Sequence, residues 1–201
     1  MVAILEQKHV EGARLFATRH DMLAQMTQSK RGGVIAEIGV AHGDFSEFIL
    51  DTLAPSKFVA FDTFEMHLHP SHWGIPSEVL FKGMTHEDFY RHRFSAKSTD
   101  IVVERGLSHD RLATYAPETF DLIYVDANHT YDDVKQDSLL AANAIKRDGI
   151  LIFNDYIMHD HLLNEPYGVV QAVNELVVAS DWRVIGFALQ ENMFCDIALA
   201  R

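Results

Sequence analysis

Three places in this chain combine residue types and spacings that can do chemistry. Glu37-Ile38-Gly39-Val40-Ala41-His42-Gly43 closes the apolar run Val34 to Ile38 with a Gly-x-x-x-Gly turn. Asp62 ends a second apolar run, nineteen residues beyond Gly43. His129 stands shortly after a third run that ends in Asp126, and just before Thr130 and Asp133, whose Ser/Thr-x-x-acid spacing marks a helix start. A dinucleotide fingerprint requires Gly-x-Gly-x-x-Gly, so that a helix N-terminus can seat a pyrophosphate. Here position 41 is alanine, and a carboxylate two places before the first glycine is unsuited to an anion. It suits a ligand with an adenosine and a positive charge, and S-adenosylmethionine carries an α-amino group and a sulfonium. On this reading Glu37 favours the donor's charge, while Gly39 and Gly43 let the backbone approach closely. Asp62 accepts the ribose hydroxyls, and the His129 imidazole can take a proton from a substrate hydroxyl. Each has a structural alternative: Glu37 as a buried acid bonded to amides, His129 as a loop histidine bonded to backbone.

The elements that must position these residues alternate along the chain. Strands are expected at 34–38, 57–61, 100–104, 120–125 and 149–153, and helices at 44–53, 108–115, 130–146 and 167–179. This order implies a mostly parallel sheet covered on both faces. Residues 6–29 read as one or two N-terminal helices ended by Lys30-Arg31-Gly32-Gly33. Two further strands, 182–188 and 193–199, are separated by Gln190-Glu191-Asn192. That link is too short for a parallel crossover, so the last strand should run antiparallel to its predecessor.

Composition narrows the partners. The 201 residues, 48% of them hydrophobic, fit one α/β domain spanning 1–201, with an N-terminal helical segment 1–32 and a core 33–201. One cysteine, Cys195, rules out an internal disulfide and a cysteine-based zinc site, which suits a cytoplasmic setting. No stretch is long enough to span a bilayer. A net charge of −12 argues against nucleic acid, whose binders usually carry a basic stripe. A small molecule is the expected acceptor, and the apolar N-terminal helices point to a homodimer that covers them.

The chain from Val34 to Arg201 resembles the class I S-adenosylmethionine-dependent methyltransferases. The resemblance rests on the glycine motif, Phe58-Val59-Ala60-Phe61-Asp62, Asp121-Leu122-Ile123-Tyr124-Val125-Asp126, and Lys146-Arg147-Asp148-Gly149-Ile150-Leu151. It implies a Rossmann-like sheet of seven strands, six parallel and one antiparallel, with helices on both faces. Asp126-Ala-Asn-His129-Thr-Tyr131 and the late Asn154-Asp155 are most similar to the small catechol and macrocin O-methyltransferases. That likeness implies adenine contacts at Ser108 and His109, with Ser108 equally able to cap a helix. It also implies a cation such as Mg²⁺ on Asp126, Asn154 and Asp155, lowering the pKa of the acceptor hydroxyl. The catechol pattern runs Asp then Asn, however, and here the pair is reversed. A cation-bound site and a metal-free, hydrogen-bonded cluster therefore both stay open.

Residues 63–98 form a long insert suited to a substrate lid or a dimer contact. Phe89, Tyr90 and Phe94 fall at helical spacing expected of core, and Arg91 and Arg93 at solvated surface. His67, His69 and His72 lack the partners of a metal site, and His159 and His161 follow Asp155 closely enough to line a pocket. The expected activity is methyl transfer to a small molecule, at a hydroxyl oxygen, with Asp126 and His129 activating the acceptor. Its rivals are a catalytically silent donor-binding protein and, less favoured, an NAD-type oxidoreductase.

Overall fold

The computed structural model describes residues 2–201. The chain begins with α1 (Gln7–Val10), β1 (Arg14–Phe16) and α2 (Arg19–Met26), then enters β2 (Val34–Ile38), α3 (Asp44–Leu53) and β3 (Lys57–Asp62). The insert holds a small hairpin, β4 (Ser71–His72) and β5 (Ile75–Pro76), followed by α4 (Ser77–Leu80) and α5 (His86–Phe94). Next come β6 (Asp100–Arg105), α6 (Ser108–Leu112), β7 (Phe120–Val125), α7 (Tyr131–Ala144) and β8 (Ile145–Phe153). A second hairpin, β9 (His159–Asp160) and β10 (Glu165–Pro166), precedes α8 (Val169–Val178), β11 (Arg183–Ala188) and β12 (Asp196–Ala200).

Eight strands form one sheet in the order β1-β11-β12-β8-β7-β2-β3-β6. β12 runs antiparallel to both neighbours, β11 and β8, as the short link before it requires. The other pairings are parallel. The sheet has eight strands where seven were expected, because β1 adds to the outer edge of β11 through Arg14, Leu15 and Phe16. The N-terminal segment is thus helix, strand, helix. Three residues are too few to show a period, and in β1 only Phe16 is buried, while Arg14 and Leu15 are exposed.

Each central strand feeds two cores, because successive side chains leave opposite faces. Ala36, Val59, Phe61, Ile123, Val125, Leu151 and Phe153 pack with Val134 and Ala141 of α7 and Val173 and Val177 of α8. Ile35, Phe58, Ala60, Leu122, Tyr124 and Ile152 pack on the other face, against Leu23 of α2, Ile49 of α3, and Tyr90 and Phe94 of α5. Phe89, Tyr90 and Phe94 are therefore core residues of the insert. Arg91 pairs with Glu87, while Arg93 ties α5 to Asp44 and Glu47 of α3. Among the described residues no helix is long and apolar enough to cross a membrane. The carboxyl ends of β2, β3, β7 and β8 lie on one edge of the sheet, where open α/β sheets bind ligands.

Candidate functional site

The turn after β2 is built from contacts within the chain. Gly39 has φ 83°, and a Cβ there would lie 2.0 Å from the Asp126 carbonyl oxygen. The close approach that this glycine permits is thus to the backbone following β7. At Gly43, with φ 87°, a Cβ would press on the Phe94 and Tyr90 rings at 3.0 to 3.2 Å. Ala41, where a dinucleotide motif has glycine, still takes a left-handed backbone, φ 43°. Hydrogen bonds on both sides hold it there: its N–H donates to Asp62 Oδ2 at 3.3 Å, and its carbonyl lies 2.5 Å from Nε2 of the buried His86.

Asp62 has a second task that its position in the sequence does not reveal. Its Oδ2 accepts from the N–H groups of Val40 (2.9 Å) and Ala41, and its Oδ1 from Phe64 N–H (2.7 Å). It clamps the glycine turn to the end of β3 and keeps one lone pair on Oδ1 for a ligand. Glu37 is 1% exposed and accepts from the Ser46 hydroxyl, which in turn receives the Tyr90 hydroxyl at 3.0 Å. Burial raises its pKa well above the usual carboxylate range, against the pull of the Ser46 hydroxyl.

A cavity of about 330 Å³ lies over this edge, lined by Gly39, Asp62, Ser108, His109 and Asp126 among others. Ser108 opens α6, but Leu107 is its cap residue. The Ser108 hydroxyl donates to both oxygens of Asp137 on α7, at 2.7 and 2.8 Å. Asp137 is buried, which pushes its pKa up to about 6 against the pull of the Ser108 bond. His109 sits beside Asp110 at 3.9 Å.

A second cavity of about 700 Å³ adjoins the first through Asp126, with Arg19, Trp73, His129, Asp155 and Tyr167 in its wall. Thr130 caps α7 by accepting from Asp133 N–H, which leaves His129 on the loop before the helix. The His129 ring stacks on Tyr167 at 4.4 Å, 3° from parallel. Its Nε2 lies 3.4 Å from Asp155 Oδ2 and 3.7 Å from Asp126 Oδ1, buried and without a hydrogen bond. Burial would lower the pKa of this imidazole, but Asp126 and Asp155 outweigh it and hold it above the ordinary value. Asp155 is itself pushed up to about 6 by burial and by the neighbouring Asp126 charge. Trp73, at the turn of the β4–β5 hairpin, is 72% exposed beside this cavity.

Arg19 and Asp196 belong to the same cluster and carry no motif. Arg19 Nη1 donates to the Tyr124 hydroxyl at 3.2 Å and pairs with Asp126 Oδ2 at 3.5 Å. Tyr124 donates to Asp196 Oδ2 at 2.7 Å, and Asn154 Nδ2 donates to Asp196 Oδ1 at 3.0 Å. Asp196 is fully buried, which pushes its pKa up to about 7. A charged residue inside the apolar run Met193 to Ala200 was the available signal for it.

Of the residues expected to hold a cation, Asp126 and Asn154 have partners within the chain. Asn154 turns its amide to Asp196, Asp126 faces a guanidinium, and Asp155 has a left-handed backbone at φ 51°. Among the described residues no group of three or more His, Cys, Asp or Glu is placed to hold a metal ion. Near the surface, like charges about 4 Å apart repel by about 4 kcal/mol per unit charge, so a divalent ion on Asp126 would be opposed by Arg19. His159 and His161 stand outside the cavity wall, to which Asp160 between them contributes. His72 bonds to the Met66 carbonyl at 2.7 Å, and its ring lies 5.7 Å from that of His69, within the insert.

A parallel sheet with one antiparallel strand, β12, set between β8 and β11, and a cavity over the strand ends at Gly39, Asp62 and Asp126, defines a class I S-adenosylmethionine-dependent methyltransferase fold. The chain belongs to that family: the family model described as a methyltransferase domain matches residues 36–156. An O-methyltransferase from Bacillus cereus, solved in complex with SAH, is 17% identical with a TM-score of 0.62, covering 91% of this chain and 80% of that one. The O-methyltransferase TomG from Streptomyces achromogenes, involved in tomaymycin synthesis and solved with SAM, is 17% identical with a TM-score of 0.59. That match covers 90% of this chain and 78% of TomG. At these identities the likeness is one of fold. No curated protein matches the chain.

Proposed function

We propose that this chain transfers the methyl group of S-adenosylmethionine to a hydroxyl oxygen of a small molecule. The observation that carries the reading is His129 Nε2, set unbonded between Asp126 and Asp155 in the wall of the larger cavity, beside the Asp126 that both cavities share. The first cavity suits the donor. Gly39 and Ala41 line it, the free lone pair of Asp62 Oδ1 is available to a ribose hydroxyl, and the Ser108 oxygen keeps lone pairs for an adenine amino group, with His109 alongside. The Asp126 carboxylate gives this end of the cavity the sign that attracts a sulfonium, while Glu37, buried behind the turn, supports it through Ser46.

The bound donor supplies an electrophilic methyl carbon: an O–C bond forms, the S–C bond breaks, and its electron pair stays on the neutral sulfur. His129 in its neutral form takes the hydroxyl proton at Nε2. Asp126 and Asp155 then hold the imidazolium, and the Tyr167 ring keeps the imidazole plane fixed. Because these carboxylates raise the pKa of His129, the base form gains population at higher pH than for an ordinary histidine.

Calorimetric titration of S-adenosylmethionine into the chelator-treated protein tests the reading. Binding in the micromolar range is expected; no binding heat would overturn it.

A further inference from the structure

Among the described residues lining the larger cavity, Arg19 is the sole lysine or arginine, and it arrives from far along the chain. Three contacts fix it. Thr18 caps α2 by accepting from Asp21 N–H, so Arg19 is the first helical residue. The Arg19 N–H donates to Gln190 Oε1 at 2.8 Å, which ties it to the loop before β12. The guanidinium lies over the Phe45 ring at 4.4 Å, a cation–π contact that holds the charge against an apolar wall.

Asp126, the carboxylate that both cavities share, already faces this charge. Nη1 faces Asp126 Oδ2 and the Tyr124 hydroxyl, and the chain of bonds continues through Asp196 to Asn154. Asp126 and Asn154, two of the three oxygen donors that a cation would need, are thus joined by one network that ends in a guanidinium. Arg19 Nε is buried without a partner, and the residue borders both the larger cavity and the space that leads past Gly39 to the donor pocket.

We propose that the Arg19 guanidinium is the resident cation of the acceptor site and stands where a divalent ion would otherwise neutralise Asp126. The inference rests on the methyl-transfer reading above and says how that site manages charge: the balancing charge is covalent, permanent and independent of metal supply.

Titration with Mn²⁺, followed by the electron paramagnetic resonance of the free ion, tests it on the full chain. The unaltered protein is expected to leave Mn²⁺ free up to about 1 mM, the weak end of protein sites for hard divalent cations. Arg19→Ala should bind Mn²⁺ at least about tenfold more tightly than the unaltered chain, a difference of about 1.4 kcal/mol. Asp126→Asn added to that variant should abolish the gain. Arg19→Gln, which keeps more of the packing on Phe45, serves if the alanine variant does not fold. One Mn²⁺ bound per unaltered chain below 1 mM, or no gain in a folded Arg19 variant, would overturn the proposal. Donor calorimetry on the same samples separates the two failures: no donor heat sinks methyl transfer, whereas donor heat with Mn²⁺ bound by the unaltered chain sinks this inference alone.

Discussion

Replacing Asp62 by alanine should cost the protein stability before any donor is added. The carboxylate receives three backbone N–H groups, from Val40, Ala41 and Phe64, and one of them steadies the left-handed Ala41. Hydrogen bonds to a charged group contribute about 1.5–3 kcal/mol each, and water would recover part of that at this half-buried site, leaving about 1 kcal/mol per bond. The loss is then about 3 kcal/mol, which lowers Tm by about 6–12 °C in a chain of this length. Asp62→Asn keeps one acceptor oxygen and so at most two of the three bonds, and should fall between the parent and the alanine variant. The assay is differential scanning calorimetry without donor, followed by titration of S-adenosylmethionine into whichever variants stay folded. Donor affinity should weaken by about 1–3 kcal/mol in the alanine variant as the ribose contact is lost. An alanine variant melting within about 2 °C of the parent would refute the clamp, since even one such bond exceeds that shift. Unchanged donor affinity in a folded variant would refute the ribose role.

Asp126 holds the His129 pKa above its ordinary value, so Asp126→Asn should move the titration of the His129 ring, followed by proton NMR, to lower pH; an unmoved curve would refute the pairing. His129→Ala should slow methyl transfer by roughly 10²-fold or more with donor affinity intact, and transfer by the parent should rise with pH as the imidazole loses its proton. Asp137 has a folded pKa of about 6 against an ordinary 3.8, so the folded state binds the extra proton and stability falls as pH rises between those values. Asp137→Asn removes that penalty, and should match the parent in unfolding free energy near pH 4 but exceed it at pH 8, by up to about 3 kcal/mol. Parallel curves for the two proteins would contradict the assignment.

Most of the sheet could be read from the residue order because each central strand is a short apolar run with turn residues at its ends. The antiparallel last strand followed from the three residues Gln190-Glu191-Asn192 alone. β1 escaped because a three-residue strand has no period, and Leu15 and Phe16 among polar neighbours fit a helix equally well. Glu37, Gly39, Gly43, Asp62, Asp126, His129, Asn154 and Asp155 could be picked out because each ends or follows a strand whose place in the sheet was known. Their partners could not. Arg19 meets Asp126 across 107 positions and Tyr124 meets Asp196 across 72, distances over which no local pattern operates. The same limit hid what Asp62 and Ser108 do within the chain, since a carboxylate reserved for a ribose and one that also grips a turn look alike in a sequence.

β1 also matters for how the molecule behaves in a crowded solution. Without it, β11 would present a six-residue row of free N–H and C=O groups, the kind of margin to which a second chain can add. A three-residue strand that gives way to the Thr18 helix cap leaves little length for such growth. The N-terminal segment is therefore both the carrier of Arg19 and a hem on the sheet. Shortening the chain to a minimal methyltransferase core would remove Arg19 and expose a sticky margin in the same cut, so poor recovery of such a fragment would say nothing about catalysis.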